Sequence, residues 1–467
     1  MKFNRAVLGA AALFASLSSA PEAHAEPPAV PAKNVIFFLG DGMGPTTVTA
    51  SRIYGYGEAG KLAMEKLPRT ARIKTFSLDA QTTDSAPSMA AYMTGVKMRN
   101  EVLSMSGETV ARIEADGHCA PTGNGVAVPT FLEKAKAAGK AVGVVTTTEL
   151  THATPAATYS HICNRNLPYD ISAQAVPGGA GYNTALDGGV SAGVDVLLGG
   201  GANHWTPFNA STNGSGRPDG RDLTAEMQSK GYSYVTNGPG LRGLPASTTK
   251  LLGLFSKTSH LNYELDRDPS TEPSLAEMTV KAIEVLKKAS SAGNQGFFLM
   301  VEGGRIDHAL HDTKAQKALA DTLAFDSAIQ AAMATVDLSN TLIVVTADHD
   351  HTMTMNGYGQ RGSGLHVLDV VRDPASGAPL VDADGYPYPT LVFGNGPNRP
   401  IVRSAGDTMN LLDKNFTHIS AVRTSAGGET HGGGDVMLMA GGAGAEAFKG
   451  TMDNTKVFQL LKTAAGL

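Results

Sequence analysis

Short, nearly continuous apolar runs alternate with helix-forming stretches along this chain, and that alternation constrains its fold more than any other feature. Each run has the length of a β-strand, and an uninterrupted apolar run is typical of a strand buried on both faces. The runs span residues 35–39, 142–145, 194–198, 297–301, 342–345, 391–393 and 436–439. We therefore predict a doubly wound α/β fold, with a mostly parallel central sheet and helices on both of its faces.

Three stretches between these runs have a composition that favours helices, at residues 131–138, 274–288 and 313–336. The second follows Pro273 and carries Glu277 at the position of an N-terminal capping residue. In open α/β sheets, ligands bind beyond the carboxyl ends of the strands, so the residues that follow each apolar run are the first candidates for function.

The N-terminus has the features of a secretory signal peptide. Lys2 and Arg5 precede an apolar stretch, and Ala23-His24-Ala25 is an A-x-A cleavage site. We expect residues 1–25 to be removed, residues 26–33 to form a Pro-rich lead-in, and residues 34–467 to form a single domain that is periplasmic or secreted. No stretch is apolar enough to span a bilayer, so we expect no membrane association after cleavage.

Charge and cysteine content exclude two classes of partner or site. The formal net charge is −5, which does not suit binding to a polyanion, so we expect no nucleic-acid partner. The two cysteines, Cys119 and Cys163, are too few for a four-cysteine zinc site. They can pair in an oxidising compartment, although the sequence does not show whether they are close in space.

The residues that follow run 342–345 are the strongest indication of a functional site. Asp348, His349, Asp350 and His351 are four consecutive ligand-type residues at the end of a buried strand. Removing such side chains from water is costly unless they are paired or bind a cation. This tetrapeptide therefore predicts metal coordination.

Run 297–301 is followed by a second group of this kind. Glu302 lies at the strand end, and Asp307 and His311 are four residues apart. If a helix begins near Arg305, this spacing places the carboxylate and the imidazole on one face, where they can bind one zinc ion. An exposed polar start of a helix is the alternative.

Four further residues are ambiguous when each is considered alone. Asp41 lies between glycines after the first run and fits either a metal ligand or an Asp-Gly turn. Thr154 follows a threonine-rich stretch, after which we expect a helix to carry the chain on to Arg165. His431 lies in a glycine-rich loop, where an exposed histidine is common. Ser85 precedes an apparent helix, where it is either an N-cap or a hydroxyl whose ionised form the helix N-terminus stabilises.

Considered together, these residues exceed what one metal ion requires. Two zinc sites can be formed from Asp41, Asp307, His311, Asp348, His349 and His431. Glu302 and Thr154 are hard oxygen donors that suit magnesium, with Asp41 as a bridging ligand. Two zinc ions about 4 Å apart would hold the attacking and leaving oxygens of a phosphoryl transfer.

In this order, the motifs resemble those of the alkaline phosphatase family from about residue 34 to the C-terminus. The resemblance is most specific in Asp84-Ser85-Ala86, Thr154-Pro155-Ala156-Ala157 with Arg165, residues 301–308 and Thr346-Ala347-Asp348-His349. His152 and His308 make the chain more similar to the animal-type members than to the enteric bacterial type.

The resemblance implies a role for each of these residues. Ser85 would be the nucleophile that forms a phosphoserine, and Arg165, oriented by Asp84, would bind the phosphate. The first zinc would be held by Asp41, Asp348 and His349, the second by Asp307, His311 and His431, and magnesium by Asp41, Thr154 and Glu302. His351 would support a zinc ligand, and His152 and His308 would lie near the magnesium and the phosphate.

The resemblance also implies small-molecule phosphate monoesters as substrates and a homodimer as the assembly. Two alternatives stay open: a phosphodiesterase or sulfatase of the same superfamily, and an exported metal- or phosphate-binding protein without catalysis. Arg165, Thr154 and Glu302 favour the monoesterase over the first alternative, and Ser85 favours catalysis over the second. A calcium site is left open, because Ser256 stands where a carboxylate would be expected.

Overall fold

Most of the apolar runs form the strands of one large sheet in the computed structural model, which describes residues 31–188, 191–211, 214–291, 293–425 and 428–467. The signal peptide predicted at 1–25 and residues 26–30 of the lead-in predicted at 26–33 lie outside the described residues. Among the described residues, none of the helices combines the length and apolar character needed to cross a bilayer.

The strands are β1 (Asn34–Gly40), β2 (Arg69–Lys74), β3 (Ala141–Glu149), β4 (Val196–Gly200), β5 (Ser233–Val235), β6 (Leu251–Leu254), β7 (Phe297–Gly303), β8 (Thr341–Ala347), β9 (Asp350–His351), β10 (Met353–Met355), β11 (Leu391–Gly396), β12 (Ser420–Arg423), β13 (His431–Gly432), β14 (Val436–Gly442) and β15 (Gly450–Asp453). The helices are α1 (Pro45–Tyr56), α2 (Ser85–Thr94), α3 (Phe131–Ala137), α4 (Ala153–Tyr159), α5 (Pro168–Gln174), α6 (Leu223–Ser229), α7 (Gly238–Arg242), α8 (Leu275–Ser290), α9 (Arg305–His311), α10 (Ala315–Thr335) and α11 (Asn454–Ala465).

The central sheet has ten strands in the order β15-β2-β14-β8-β1-β7-β3-β4-β6-β5. Strand β14 runs antiparallel to β8 and to β2, and the other pairs of neighbours are parallel. The helices pack in two groups, α1, α8, α9 and α10 in one and α2, α3, α4 and α11 in the other. The prediction of a doubly wound, mostly parallel α/β fold is confirmed.

The middle of the sheet is formed by the most continuously apolar runs. Every residue of β7 and β8 is buried, as is every residue of β1 except Asn34. Strands that are buried on both faces can be stable only between two helical layers. Helix α8 begins with the expected capping box, in which Ser274 and Glu277 satisfy each other's backbone N–H groups.

Two local predictions are wrong. Run 391–393 forms β11, which belongs to a separate three-stranded sheet with β10 and β12 rather than to the central sheet. Val392 and Gly394 are partly or fully exposed and alternate with the buried Leu391 and Phe393, so this part of the strand is covered on one face only, which a run of three apolar residues cannot reveal. The helix expected to continue to Arg165 ends instead at Tyr159, because Ser160 adopts an extended conformation.

Arg165 therefore lies in an irregular segment, residues 160–167, between α4 and α5. Within this segment Cys163 forms a disulfide with Cys119, which the sequence had left open. The bond joins the segment to an irregular stretch at residues 106–128.

The topology brings the strand-end residues to one place. Strands β8, β1, β7 and β3 are neighbours and run parallel, so their carboxyl ends lie along one edge of the sheet. Asp41 follows β1, Asp348 follows β8, and Glu302 is the penultimate residue of β7. This edge is where the candidate site forms.

Candidate active site

Asp41, Asp348 and His349 form the first cluster of ligand-type side chains, and all three are completely buried. Each offers one ligand atom, and the three atoms lie within 4.8 Å of one another. Burial and the nearby carboxylates of Asp348, Asp307 and Glu302 raise the pKa of Asp41 well above its ordinary value. A group of carboxyls that resists ionisation in this way becomes favourable when a cation lies among its oxygens.

The second cluster is formed on α9 and on the paired short strands β9 and β13. Asp307 and His311 lie on one face of α9, with His311 Nε2 3.3 Å from Asp307 Oδ1. His431 Nε2 lies 3.5 Å from the same oxygen and 3.1 Å from His311 Nε2. His351 completes the group, since its Nε2 lies 2.7 Å from Asp307 Oδ1.

Hydrogen bonds to backbone carbonyls determine which ring nitrogen of three histidines carries the proton. His311 Nδ1 contacts the carbonyl oxygen of Glu429 at 2.5 Å, His431 Nδ1 that of Thr83 at 2.9 Å, and His349 Nδ1 that of Asp350 at 3.2 Å. A carbonyl oxygen can only accept, so each Nδ1 donates and, in the neutral ring, each Nε2 has a free lone pair. These lone pairs face carboxylates and, for His311 and His431, each other, an arrangement that a cation between them would stabilise.

A third cluster suits a harder cation. The ligand atoms of Asp41, His152 and Glu302 lie within 4.8 Å of one another. Glu302 Oε1 and Thr154 Oγ1 are buried and have no hydrogen-bond partner within the described part of the chain. Burial raises the pKa of Glu302 to about 7. Unpaired buried oxygens are costly unless something binds them, and oxygen donors of this kind are what Mg²⁺ prefers.

Ser85 and Arg165 lie beside these clusters. Ser85 Oγ is 3.2 Å from His349 Nε2 and 3.3 Å from Asp41 Oδ1. Ser85 is the first residue of α2, and its predicted alternative role as N-cap belongs instead to Asp84, which accepts from Ala86 N at 2.7 Å. The hydroxyl therefore lies at a helix N-terminus, where N–H groups favour negative charge.

The guanidinium of Arg165 is held on two sides. Nη1 donates to Asp84 Oδ1 at 3.2 Å, and Nη2 donates to His152 Nε2 at 2.9 Å. The ring of His152 also packs edge to face against that of His308, with centroids 5.4 Å apart. His308 in turn accepts from Arg305 at 2.9 Å. Asp84, His152 and His308 thus all lie in the vicinity of Arg165.

Sequence reasoning missed three residues that hold these side chains. Glu429 is buried and binds His351 Nδ1 at 2.5 Å. Burial works against a charge on His351, but its hydrogen bonds to Asp307 and Glu429 outweigh that effect and raise its pKa to about 10. Thr146 and Thr148 both donate to Glu302 Oε2. Two sequence signals for these residues were available: a run of threonines in a strand and an acid two residues before His431. Neither signal is specific for a supporting role.

Known proteins match this chain along nearly its full length. A family model described as alkaline phosphatase matches residues 32–467. The chain is 37% identical over 464 residues to the tissue-nonspecific isozyme of alkaline phosphatase from Homo sapiens, which covers 93% of this chain and 84% of that protein. It is 36% identical over 463 residues to the alkaline phosphatase of Gadus morhua, covering 93% of this chain and 92% of that one.

Solved structures give the same picture. Alkaline phosphatase from Thermus thermophilus is 28% identical, with a TM-score of 0.66 over 94% of this chain and 92% of that chain. Alkaline phosphatase from the Antarctic bacterium TAB5 is 23% identical, with a TM-score of 0.64 over 94% of this chain and 99% of that chain, a likeness of fold alone.

Proposed function

The chain belongs to the alkaline phosphatase family, and on that premise we propose that Ser85 is the nucleophile in its hydrolysis of phosphate monoesters. Members of this family are metal-dependent phosphomonoester hydrolases, so the chain is an enzyme of that type. The proposal adds a covalent phosphoserine, a specific set of cations and a role for each side chain.

One observation carries the proposal. The Nε2 atoms of three histidines, each with Nδ1 donating to a carbonyl, converge with buried carboxylates beside the hydroxyl of a helix-terminal serine. A stable fold has no need of such a concentration of lone pairs and acids, because removing these groups from water is costly. It is the environment in which bound divalent cations would generate a serine alkoxide.

We assign the clusters to two Zn²⁺ and one Mg²⁺ by their donor atoms. Nitrogen-containing sets suit zinc: Asp41, Asp348 and His349 for one ion, and Asp307, His311 and His431 for the other. The all-oxygen set of Asp41, Thr154 and Glu302 suits magnesium. When bound, these ions would supply positive charge that lowers the pKa of the Ser85 hydroxyl and of water and that offsets the charge of the phosphate.

The side chains then perform two displacements at phosphorus. Ser85 Oγ attacks, a bond between Oγ and phosphorus forms, and the bond between phosphorus and the ester oxygen breaks to release the alcohol. Water next attacks the phosphoserine, which releases inorganic phosphate and restores Ser85. Throughout, the planar fork of Arg165 binds two non-bridging oxygens, and Asp84 and His152 keep that fork in one orientation.

The removal of Ser85 is the direct test. We expect Ser85→Ala to lower kcat/KM for p-nitrophenyl phosphate by at least about 10³-fold while zinc content stays unchanged. Ser327→Ala, an exposed serine on α10, is the matched control and should behave as wild type. Intact-protein mass spectrometry of an acid-quenched reaction should show one added phosphoryl group on wild type and none on Ser85→Ala. Unchanged hydrolysis by Ser85→Ala would refute the nucleophile assignment.

The metal assignment and the substrate class have separate tests. Elemental analysis of the purified protein should give two zinc ions and one magnesium ion per chain, and chelation should abolish activity. Comparing p-nitrophenyl phosphate with its bis-ester tests the phosphodiesterase alternative. Faster turnover of the diester would reverse the choice of a monoesterase.

Export and assembly complete the proposal. A disulfide between Cys119 and Cys163 suits an oxidising compartment, in keeping with a periplasmic or secreted enzyme. N-terminal sequencing of the exported protein should begin at Glu26. Light scattering should give the mass of a homodimer.

A further inference from the structure

Cys163 lies two residues before Arg165, and its disulfide to Cys119 is the single cross-link that a chain with two cysteines can form. Arg165 sits in segment 160–167, which belongs to no helix or strand. Asp84 and His152 hold the guanidinium, but no helix or strand holds the backbone of Arg165. The position of that backbone therefore depends on the contacts of segment 160–167.

Segment 160–167 makes contacts on two sides: an inner side, which faces residues 101–103, and an outer side, which faces the loop at residues 106–128. On the inner side, Ile162 exchanges two backbone hydrogen bonds of 3.0 Å with Leu103, and Arg165 N donates to Glu101 O at 2.8 Å. On the outer side, Cys163 N lies 3.1 Å from Cys119 Sγ, and the amide of Asn164 reaches the carbonyl of Ala111 at 3.5 Å. The outer side is thus formed by the disulfide and by the loop that the disulfide holds.

That loop, residues 106–128, has little packing of its own. Val110, Ile113 and Val126 in it are exposed apolar side chains. The loop also contacts α5 through an ion pair between His118 and Asp170, two side chains that are themselves well exposed. Such a pair contributes little in water, so the covalent bond is what keeps the loop against segment 160–167.

We propose that the Cys119–Cys163 disulfide is a positioning element for Arg165, holding the outer side of its segment so that the guanidinium keeps the geometry needed to bind phosphate. The inference rests on the proposed role of Arg165 in phosphate binding. A bidentate fork tolerates displacement poorly, and a shift of about 1 Å at a positioned group can cost a large part of its effect. Without the disulfide, Asp84 and His152 still orient the guanidinium. The backbone that carries it then keeps its hydrogen bonds to Glu101 and Leu103 and those of the neighbouring His161, but it loses its only covalent restraint.

The test is a double-mutant cycle between the disulfide and Arg165. Cys119→Ser with Cys163→Ser removes the bond without leaving a free thiol. We expect KM for p-nitrophenyl phosphate and the inhibition constant of inorganic phosphate to rise about tenfold, with a smaller change in kcat and unchanged zinc content. In an Arg165→Ala background, the same two substitutions should have no further effect on either constant. His118→Asn, which cuts the exposed loop contact, is the control and should stay within twofold of wild type.

The outcomes separate this inference from the proposed function. If Arg165→Ala alone leaves KM and phosphate inhibition unchanged, the phosphate-binding role of Arg165 fails. If Arg165→Ala impairs binding but removal of the disulfide changes neither constant, or changes both equally in the two backgrounds, the disulfide has a purely structural role and the inference is overturned.

Should the serine variant not fold, folded wild-type enzyme can be treated with a dithiol reductant. The dithiol gives up two electrons and two protons, becomes a cyclic disulfide, and leaves Cys119 and Cys163 as thiols. KM should rise in step with the appearance of the thiols and return on reoxidation. Full reduction without a change in KM would also refute the inference.

Discussion

Glu429 is the buried acid on which the second metal cluster depends, and replacing it by glutamine tests that dependence. One carboxylate oxygen, Oε2, accepts from His351 Nδ1 at 2.5 Å, and the other, Oε1, accepts from Thr352 N at 2.6 Å and from Thr352 Oγ1. The amide of glutamine has one oxygen, so Glu429→Gln must present an N–H₂ group to one of these two sets of donors. One buried donor on His351 or Thr352 is then left unsatisfied.

The structure sets the size of the expected effect. The Glu429 side chain is completely buried, so water cannot replace the lost partner. A charge-assisted hydrogen bond lost at such a position costs about 1.5–3 kcal/mol. Because His351 holds Asp307 at 2.7 Å, that loss reaches the proposed ligand of the second zinc, and changes around metal ligands of this kind lower metal affinity by about 10–100-fold.

Zinc affinity should be measured by competition with a chelator, and kcat should be measured separately at saturating zinc. We expect zinc affinity to fall about 10–100-fold in Glu429→Gln, with much of kcat recovered when zinc is in excess. Glu446→Gln changes an exposed acid in the same way and serves as the control. A folded Glu429→Gln protein whose zinc affinity stays within twofold of wild type would show that the network from Glu429 to Asp307 does not support the metal.

Two further predictions concern stability away from the site. Lys136 and Asp195 form a buried ion pair at 3.0 Å, with side chains 0% and 1% exposed, so Lys136→Met should lower the free energy of unfolding by about 3–5 kcal/mol in denaturant. Adding Asp195→Asn removes the unpaired charge and keeps an oxygen for the N–H of Val142, so the double variant should lose much less; equal losses would contradict this. The second prediction concerns His161, whose Nε2 donates to Glu133 at 2.7 Å. Burial works against a charge on either side chain, but the pairing outweighs it, so the pKa of His161 is raised and the pKa of Glu133 is lowered. The pair's full contribution is therefore present between the ordinary pKa values of about 4.5 and 6.5 and is lost as pH rises through the folded-state pKa of His161 or falls through that of Glu133. The difference in unfolding free energy between wild type and His161→Gln should be larger at pH 5.5 than at pH 9, and a difference that does not change with pH would refute the assignment.

Patterns within short stretches predicted most of the central architecture. Runs such as 297–301 and 342–345 are apolar at every position, which suits only a strand covered on both faces, and they are the middle strands of the sheet. The spacing of Asp307 and His311 is also a local pattern, because residues four positions apart lie on the same face of a helix. Run 391–393 shows the limit, because three apolar residues fit a strand covered on one face equally well.

The candidate residues illustrate what sequence reasoning can and cannot reach. Asp348 and His349 stood out because four ligand-type residues follow a buried strand, a signal contained in the ten neighbouring positions 342–351. His431 and Asp41 carried no such signal alone, and they became candidates only because the other ligand-type residues needed further partners to complete two metal sites. Glu429 and Thr146 were missed, because a single acid or threonine acquires its role from the partner it meets.

By itself, the sequence determined which segments are strands and helices at the centre of the fold and to which family the chain belongs, because apolar periodicity and ordered motifs are properties of the chain. Only the tertiary structure decided which nitrogen of each histidine is free, that Glu429 and Asp307 hold His351 between them, and that Cys119 meets Cys163 beside Arg165. Apart from the hydrogen bond of His349 to the adjacent Asp350, these contacts join residues 44 to 348 positions apart. Such contacts depend on how the strands and loops pack, and no local pattern encodes them.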